Sequence, residues 1–171
     1  MIHKKSYNFL KNLPKKLNSF YKKNLKRNFK VDNKAKTIKK FDPVTSLDRG
    51  FEKYIRLLIH RVFPSHSIIG EEFKDKFSSS EYQWCIDPID GTRAFIIGAP
   101  TWSNLIGFSF KNKPALGLAN FPELNKYYIS DYKKSYVAKN KEKFILKSSK
   151  NKNLKTVKII GNFHGTLSYE K

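Results

Sequence analysis

Residues 84–92 of the chain read WCIDPIDGT, and this short stretch places two carboxylates at the end of an apolar run. Asp87 and Asp90 are separated by a proline and an isoleucine, and a glycine and a threonine follow at once. Acidic side chains at the end of a buried strand are typical of a site that holds something positive. They stand out in a chain of 171 residues whose formal net charge is +21, with 35 Lys and Arg against 14 Asp and Glu.

The composition is that of a globular domain with a hydrophobic core. Hydrophobic residues make up 39% of the chain and aromatic residues 15%, and a chain of this length buries roughly 70% of its unfolded surface. No apolar run approaches the roughly 20 residues that cross a bilayer, and the N-terminus lacks the apolar core of a secretory signal. Because Cys85 is the only cysteine, no intrachain disulfide forms. We therefore expect a protein of the reducing cytoplasm with no membrane partner.

The positive charge is concentrated toward the two ends of the chain. Between Met1 and Lys40 the only acid is Asp32, and the segment from Lys133 onward is again rich in lysine. One interpretation is a surface that binds phosphate backbones or acidic membranes. The interpretation we favour is a compositional bias toward lysine, because the lysines alternate with core-type residues and form no long block. No helix-turn-helix, zinc or aromatic RNA-binding signature accompanies them, so we expect no specific nucleic-acid partner.

Hydrophobic periodicity predicts two helices followed by a run of strands. The first helix is predicted over residues 7–29, with a kink or a late start at Pro14. The second is predicted to be capped by Ser46 or Asp48 and to end before Pro64. In chain order, strands are predicted over residues 67–70, 82–86, 101–110, 113–122, 126–131, 135–139, 143–149 and 155–163, and a short helix over residues 91–97.

Six acids fall where loops leave regular elements. They are Asp42, Asp48, Glu71, Glu72, Asp87 and Asp90. Among them Asp42 is interpreted as a turn residue. A hard cation such as Mg²⁺ needs oxygen ligands from a few carboxylates, water and phosphate. Pro88 fixes the backbone and leaves the Ile89 carbonyl as a further oxygen, while the Gly91 and Thr92 amides open a helix and favour an anion. That arrangement suits metal-assisted attack of water on a phosphate ester.

Three motifs carry a resemblance to a known family. DPVTSLD (residues 42–48), FPSHSIIGEE (63–72) and WCIDPIDGTRAF (84–95), in this order and spacing, resemble the inositol monophosphatase family of Mg²⁺-dependent phosphatases. Within it, DGTRAFIIGAPTWSNLIGF (90–108) is most similar to the bacterial histidinol-phosphatase branch. The resemblance covers roughly residues 41–130.

The resemblance implies an α+β fold, with N-terminal helices packed on a largely antiparallel sheet. This is the first half of the family's layered αβαβα architecture. We expect a single, incomplete phosphatase domain in three regions. They are a basic N-terminal helix region (1–40), a motif-bearing core (41–130) and a basic tail (131–171).

The resemblance also implies the metal ligands. Glu71 binds the first metal and orients the attacking water, and Asp87 bridges two metals. The Ile89 carbonyl completes the shell of the first metal, and Asp90 binds the second on the leaving-group side. The family's chemistry thus implies two or three Mg²⁺ ions per site, which stabilise the entering and leaving oxygens.

Catalytic and substrate-binding roles follow from the same resemblance. The implied catalytic residues are Asp48, Glu71 and Thr92, with Asp48 and the Thr92 hydroxyl polarising the attacking water. The residues implied to hold the substrate or its phosphate are Asp90, Gly91, Thr92 and Arg93. For Arg93, a structural ion pair is an equal alternative.

Other residues of the motifs are interpreted as structural. We expect Glu72 to support the site from behind the ligands, and His66 to stabilise the turn at PSHS. Cys85 is predicted to be a small core residue, and Trp84 and Trp102 are predicted core aromatics.

The implied function is Mg²⁺-dependent hydrolysis of a small phosphomonoester, most directly histidinol phosphate in histidine biosynthesis or inositol monophosphate. Members of the family continue into a second α/β half, whose aspartate completes the second metal site, and Asp131 lies too early to replace it. We therefore expect a homodimer or a complementary C-terminal chain as partner. The alternatives are a truncated inactive remnant or a subunit that needs the separately encoded half.

Overall fold

The protein is described here by a computed structural model that covers residues 2–24, 30–33, 43–131, 133–139, 142–151, 153, 155 and 156. Its helices are α1 (Ile2–Asn24), α2 (Ser46–Val62) and α3 (Thr92–Ile96). Its strands are β1 (Val31–Asn33), β2 (Pro43–Thr45), β3 (Ser67–Gly70), β4 (Tyr82–Asp90), β5 (Ser103–Phe110), β6 (Lys113–Phe121), β7 (Lys126–Ser130), β8 (Ser135–Lys139) and β9 (Glu142–Ile145). The strand predicted over residues 155–163 lies outside the described residues, except for its first two positions.

The main sheet has seven strands in the order β3-β4-β5-β6-β7-β8-β9. Only β3 and β4 are parallel, and every later pair is antiparallel. The connection between β4 and β5 contains α3, and each connection after β5 is short. A separate two-stranded sheet, β1-β2, precedes α2. The α+β class and the largely antiparallel sheet are therefore confirmed.

Helix α1 begins earlier than predicted and runs through Pro14. Proline lacks the N–H that would bond to the carbonyl four residues back, yet a buried face offsets that loss. Leu10, Leu13 and Leu17 recur at helical spacing on this face and are at most 1% exposed. Packing against the sheet thus outweighs the local signal for a late start. The predicted end of the helix, over residues 25–29, lies outside the described residues.

Helix α2 is capped by Thr45, not by Ser46 or Asp48 as predicted. Thr45 has extended backbone angles, and its hydroxyl accepts hydrogen bonds from the amides of Leu47 and Asp48. Asp48 returns a bond by accepting the Thr45 amide at 2.8 Å, which completes a capping box. The helix ends at Val62, so the predicted stop before Pro64 is confirmed.

The core lies between the two long helices and one face of the sheet. Trp84 is fully buried, with its ring centroid 5.3 Å from that of Phe9, 5.4 Å from Phe63 and 4.6 Å from Phe108. Trp102 is 1% exposed. Both tryptophans are therefore core aromatics, as predicted. None of the helices in the described ranges combines the length and apolar character needed to cross a membrane.

The opposite face of the sheet explains why the prediction for Cys85 is wrong. Successive side chains of a strand point to opposite faces, so Trp84 and Ile86 face the helices while Cys85 between them points away and is exposed. Its cross-strand neighbour is Gly107, which pairs in turn with Gly117. These small residues line the floor of a trough of about 760 Å³.

His66 is a buried member of the core. Its ring stacks between Phe63 and Tyr82, with centroids 4.7 Å and 5.0 Å away. Its Nδ1 accepts the indole N–H of Trp84 at 3.0 Å, so the neutral ring carries its proton on Nε2. His66 therefore has a structural role, as predicted, although it braces the core as well as the turn.

The free energy of unfolding should depend on pH through His66. Burial, followed by the positive charges of Lys5 and Lys76, lowers the pKa of His66. The unfolded chain therefore binds a proton near pH 6.5 that the folded chain resists, and stability falls as pH drops below that value. A His66→Gln variant keeps an acceptor for the Trp84 N–H but does not titrate. The free energy of unfolding of this variant should change less steeply with pH than that of the parent, by up to about 1.4 kcal/mol per pH unit. Urea unfolding between pH 7.5 and 5 measures both profiles. Parallel profiles for the two proteins would contradict this account.

Candidate functional site

The predicted site lies at the edge of the sheet where β3 and β4 end. Because these two strands are parallel, their carboxyl ends meet at the same edge. Gly70 pairs with Ile86, so Glu71, directly after β3, lies beside Asp87. The pair adjoins the mouth of the trough on the exposed sheet face, which Glu71 and Asp87 help to line.

A bulge carries β4 past its predicted end at residue 86 to Asp90. The register with β5 shifts between Asp87 and Asp90, where Pro88 interrupts regular pairing. The Pro88 carbonyl accepts the side-chain amide of Asn104 at 2.6 Å. Asp90 rejoins the strand pair opposite Ser103, whose hydroxyl donates to Asp90 Oδ2 at 3.3 Å. The bulge thereby turns both aspartates toward the end of the sheet.

A buried row of amides supports this bulge and was missed by sequence reasoning. Asn120 donates to Oδ1 of Asn104 and to Oδ1 of Asn18, each at 2.9 Å. Asn104 and Asn120 are fully buried. The row connects α1 to the Pro88 carbonyl across β6 and β5. The only available signal was two asparagines at inward positions of apolar strands, and polar groups there require partners.

The turn into α3 brings Thr92 against the carbonyl of Ile89. Gly91 adopts a left-handed conformation with φ 85°, which glycine tolerates far better than other residues. The Thr92 hydroxyl lies 3.1 Å from the Ile89 carbonyl oxygen and 3.5 Å from Asp48 Oδ1. The helix starts at Thr92, one residue later than predicted. Its first amides have no acceptor within the helix, which suits an anion.

Asp48 serves two elements at once. Its Oδ2 accepts both the amide and the hydroxyl of Thr45 in the cap of α2, while its Oδ1 faces Thr92. The side chain is 1% exposed. The capping box therefore fixes the carboxylate that reaches the site, which explains why the acid belongs at the third position of this helix.

The carboxylates at the site repel one another. Burial first, and then the negative charge of Glu71, of Asp90 and of Asp48 together with a hydrogen bond to Glu71, raise the pKa of Asp87 to about 7. An ionised Asp87 is therefore unfavourable unless a positive charge balances it. The arrangement suits a cation at this position.

The donor set fits Mg²⁺. Asp87 Oδ1 is buried and has no hydrogen-bond partner among the described residues, an unusual condition for a buried oxygen. No three His, Cys, Asp or Glu side chains in the described ranges form a ready-made metal cage. Mg²⁺ does not require one, because it usually takes one or two carboxylates and completes its shell with water and substrate phosphate.

The predicted site residues come together in part. Asp48, Asp87 and Thr92 converge as described, with Glu71 and Asp90 beside Asp87 and with Ile89 and Gly91 in the same turn. Arg93 is exposed on the first turn of α3. Asp131 accepts the amides of Lys133 and Lys134 in the connection between β7 and β8, so it serves a turn. Asp42 and its predicted turn lie outside the described residues.

The sequence of the chain is similar to those of known proteins. A family model described as the inositol monophosphatase family matches residues 4–166. A histidinol-phosphatase of Chlorobaculum parvum is 43% identical over 86 residues, which cover 50% of this chain and 33% of that protein. A chloroplastic bifunctional phosphatase of Arabidopsis thaliana is 42% identical over 101 residues, covering 53% and 29%. The chain thus spans about a third of the length of these relatives.

Comparison by structure gives the same fold. The Thermotoga maritima IMPase matches with a TM-score of 0.63 and 29% identity, covering 80% of this chain and 50% of that one. An IMPase/NADP phosphatase complexed with Mg²⁺ and phosphate matches with a TM-score of 0.69 and 16% identity, covering 85% and 52%. At that lower identity the likeness shows the fold alone, and in both cases it extends over about half of the solved chain.

Proposed function

The chain belongs to the inositol monophosphatase family, and on that premise we propose that it hydrolyses a small phosphomonoester with Mg²⁺ bound at the Glu71–Asp87–Asp90 cluster. The observation that carries the proposal is the buried Oδ1 of Asp87, which lacks a hydrogen-bond partner among the described residues while carboxylates surround it. A solved structure of the same fold contains Mg²⁺ and phosphate.

Glu71, Asp87, Asp90 and the carbonyl of Ile89 would hold the metal ions between them. When bound, Mg²⁺ supplies Lewis acidity that stabilises negative charge on the phosphoryl group. The number of ions, two or three, is part of the proposal. The Ile89 carbonyl oxygen, 3.1 Å from the Thr92 hydroxyl, keeps a lone pair available for a cation.

The protein's own groups orient the reaction. The Thr92 hydroxyl holds the attacking water, and Asp48, 3.5 Å from that hydroxyl, accepts the proton that the water loses. The water oxygen forms the new bond to phosphorus, the ester P–O bond breaks, the leaving alkoxide takes a proton from solvent water, and Asp48 releases its proton to solvent. The amides of Gly91 and Thr92, at the start of α3, hold phosphate oxygens.

We infer histidinol phosphate as the leading substrate and inositol monophosphate as the next. Two histidinol-phosphatases, from Chlorobaculum parvum and Mycobacterium tuberculosis, are 43% and 34% identical to this chain over 86 and 96 residues. Arg93 follows the site directly and is exposed, so it can meet a substrate phosphate. A second copy of the chain, or the remainder of a longer protein, is the proposed partner.

The substrate assignment is tested by comparing kcat/KM for histidinol phosphate, inositol 1-phosphate and p-nitrophenyl phosphate at saturating Mg²⁺. We expect histidinol phosphate to be preferred by at least about tenfold, because recognition of its amine adds to the shared phosphate contacts. A preference for inositol 1-phosphate would overturn the substrate while leaving the chemistry in place. Equal values of kcat/KM would show that the site does not discriminate among the alcohol groups of these three phosphate esters.

A further inference from the structure

Glu52 is a fully buried acid in the second turn of α2 that belongs to none of the proposed metal or substrate contacts. Its side chain is 0% exposed, and a glutamate is almost never buried completely unless it is paired. The carboxylate lies against the turn that follows β3, which carries Glu71. Its contacts show what the burial achieves.

Both carboxylate oxygens of Glu52 bind backbone amides of that turn. Oε2 accepts the amide of Glu72 at 2.7 Å, and Oε1 accepts the amide of Phe73 at 3.3 Å. Oε1 also accepts a hydrogen bond from Nε of Arg56 at 2.7 Å. Arg56 reaches the same turn by donating from Nη2 to the Phe73 carbonyl at 3.1 Å.

Gly70 is shaped to admit this carboxylate. A Cβ at residue 70 would overlap Glu52 Oε1 and lie 2.6 Å from Glu52 Cδ and 2.7 Å from Arg56 Nη2. A side chain at residue 70 would therefore displace Glu52 and Arg56, and glycine leaves room for the close approach of Glu52. The Gly70 amide donates to Asp75 Oδ1 at 3.2 Å, which holds the other side of the turn.

Glu71 is therefore flanked by residues whose backbone groups are held in place. Gly70 is fixed by its strand pairing and by Asp75, and Glu72 and Phe73 are fixed by Glu52. The direction of the Glu71 side chain follows from this backbone. We propose that Glu52 is a positioning residue that aims the Glu71 carboxylate at the cation shared with Asp87. This inference rests on the proposed function and deepens it.

A purely structural ion pair with Arg56 is the competing explanation, and metal affinity separates the two. Groups that orient a ligand from behind typically change metal affinity or activity by about 10–100-fold when altered. A structural pair would change the melting temperature without changing affinity in the folded protein. The measurement is therefore the affinity for Mn²⁺, which prefers oxygen ligands as Mg²⁺ does. Binding is monitored through the EPR signal of the free ion.

Two variants and one control make the test. Glu52→Gln keeps the shape and one acceptor oxygen but removes the charge. Glu52→Asp keeps the negative charge beside Arg56, but its side chain is one methylene shorter and does not reach the Glu72 and Phe73 amides. This variant therefore tests the positioning role even if Glu52→Gln fails to fold. Glu81→Gln removes an exposed acid that pairs only at the surface with Lys111, at 3.5 Å, and matches the charge change.

We expect Mn²⁺ affinity to fall about 10–100-fold in the folded Glu52 variants and to stay unchanged in Glu81→Gln. With histidinol phosphate, the Mg²⁺ concentration for half-maximal rate should rise by a similar factor while kcat at saturating Mg²⁺ is largely retained. Unchanged affinity in Glu52→Asp, beside a parent protein that binds Mn²⁺, would overturn the positioning role alone. A parent that binds no Mn²⁺, or an Asp87→Asn variant that binds as well as the parent, would overturn the proposed function itself.

Discussion

Replacing Asp87 with asparagine should lower kcat/KM for phosphate release by more than about 10²-fold, since alteration of groups that merely support metal ligands already costs about 10–100-fold. The substitution keeps the size of the side chain but removes the anionic oxygens at the centre of the carboxylate cluster. The loss should appear together with weaker Mg²⁺ dependence of the rate.

The same substitution should raise the stability of the metal-free protein at pH 8. Neighbouring carboxylates and burial raise the pKa of Asp87 to about 7, whereas an unfolded aspartate titrates near 4. A raised pKa favours the folded state at low pH, and that contribution is lost as pH rises from about 4 through about 7. The substituted asparagine side chain carries no charge, so the variant should melt above the parent at pH 8 without metal. Added Mg²⁺ should raise the melting temperature of the parent only.

The matched control is Glu81→Gln, which removes one negative charge from an exposed side chain. It should leave both the rate and the Mg²⁺ effect on melting unchanged. An Asp87→Asn variant with the rate of the parent would show that Asp87 is not a metal ligand. A variant that is inactive but also melts far below the parent would show only that the site had collapsed.

Replacing Trp84 with alanine should reduce the free energy of unfolding by about 3–5 kcal/mol, a large part of the roughly 5–15 kcal/mol that stabilises a typical domain. Trp84 is fully buried between three phenylalanine rings and donates its indole N–H to His66. Alanine would leave a cavity and deprive His66 of its donor. Urea unfolding at pH 7.5, followed by far-UV circular dichroism, measures the change.

Phe77→Ala provides the comparison for this core substitution, because Phe77 is 72% exposed. Its removal should change stability by no more than about 0.5 kcal/mol. The loss of stability for Trp84→Phe should lie between those for Trp84→Ala and Phe77→Ala, since a smaller ring retains part of the packing but not the hydrogen bond. Equal losses for Trp84→Ala and Phe77→Ala would contradict the position of the core between the helices and the sheet.

Local sequence was sufficient for the elements that a single pattern determines. Apolar runs separated by turn residues predicted the strands from β3 to β8, and Pro64 correctly placed the end of α2. The acids of the site were found because they cluster at the ends of strands, where packing of the core gives no reason for a carboxylate. The resemblance to a family then supplied roles that spacing alone could not.

Features that depend on distant packing were not predictable in the same way. Sequence could not say which sheet face is covered, so Cys85 was placed in the core although it points away from the helices. It also could not show that Asn104 holds the Pro88 carbonyl and thereby extends β4 to Asp90. No local pattern in the sequence singles out Glu52, and only its contacts with the turn after β3 reveal a buried support.

The central claim, that this family member uses a divalent cation at the Glu71–Asp87–Asp90 cluster to hydrolyse a phosphomonoester, is tested most directly by one assay. Purified protein is stripped of metal with a chelator and given histidinol phosphate, and phosphate release is followed while Mg²⁺ is added. Release should be absent without Mg²⁺ and should rise to saturation as Mg²⁺ increases. Equal release with and without Mg²⁺, or none at any concentration from protein that melts cooperatively, would contradict the claim.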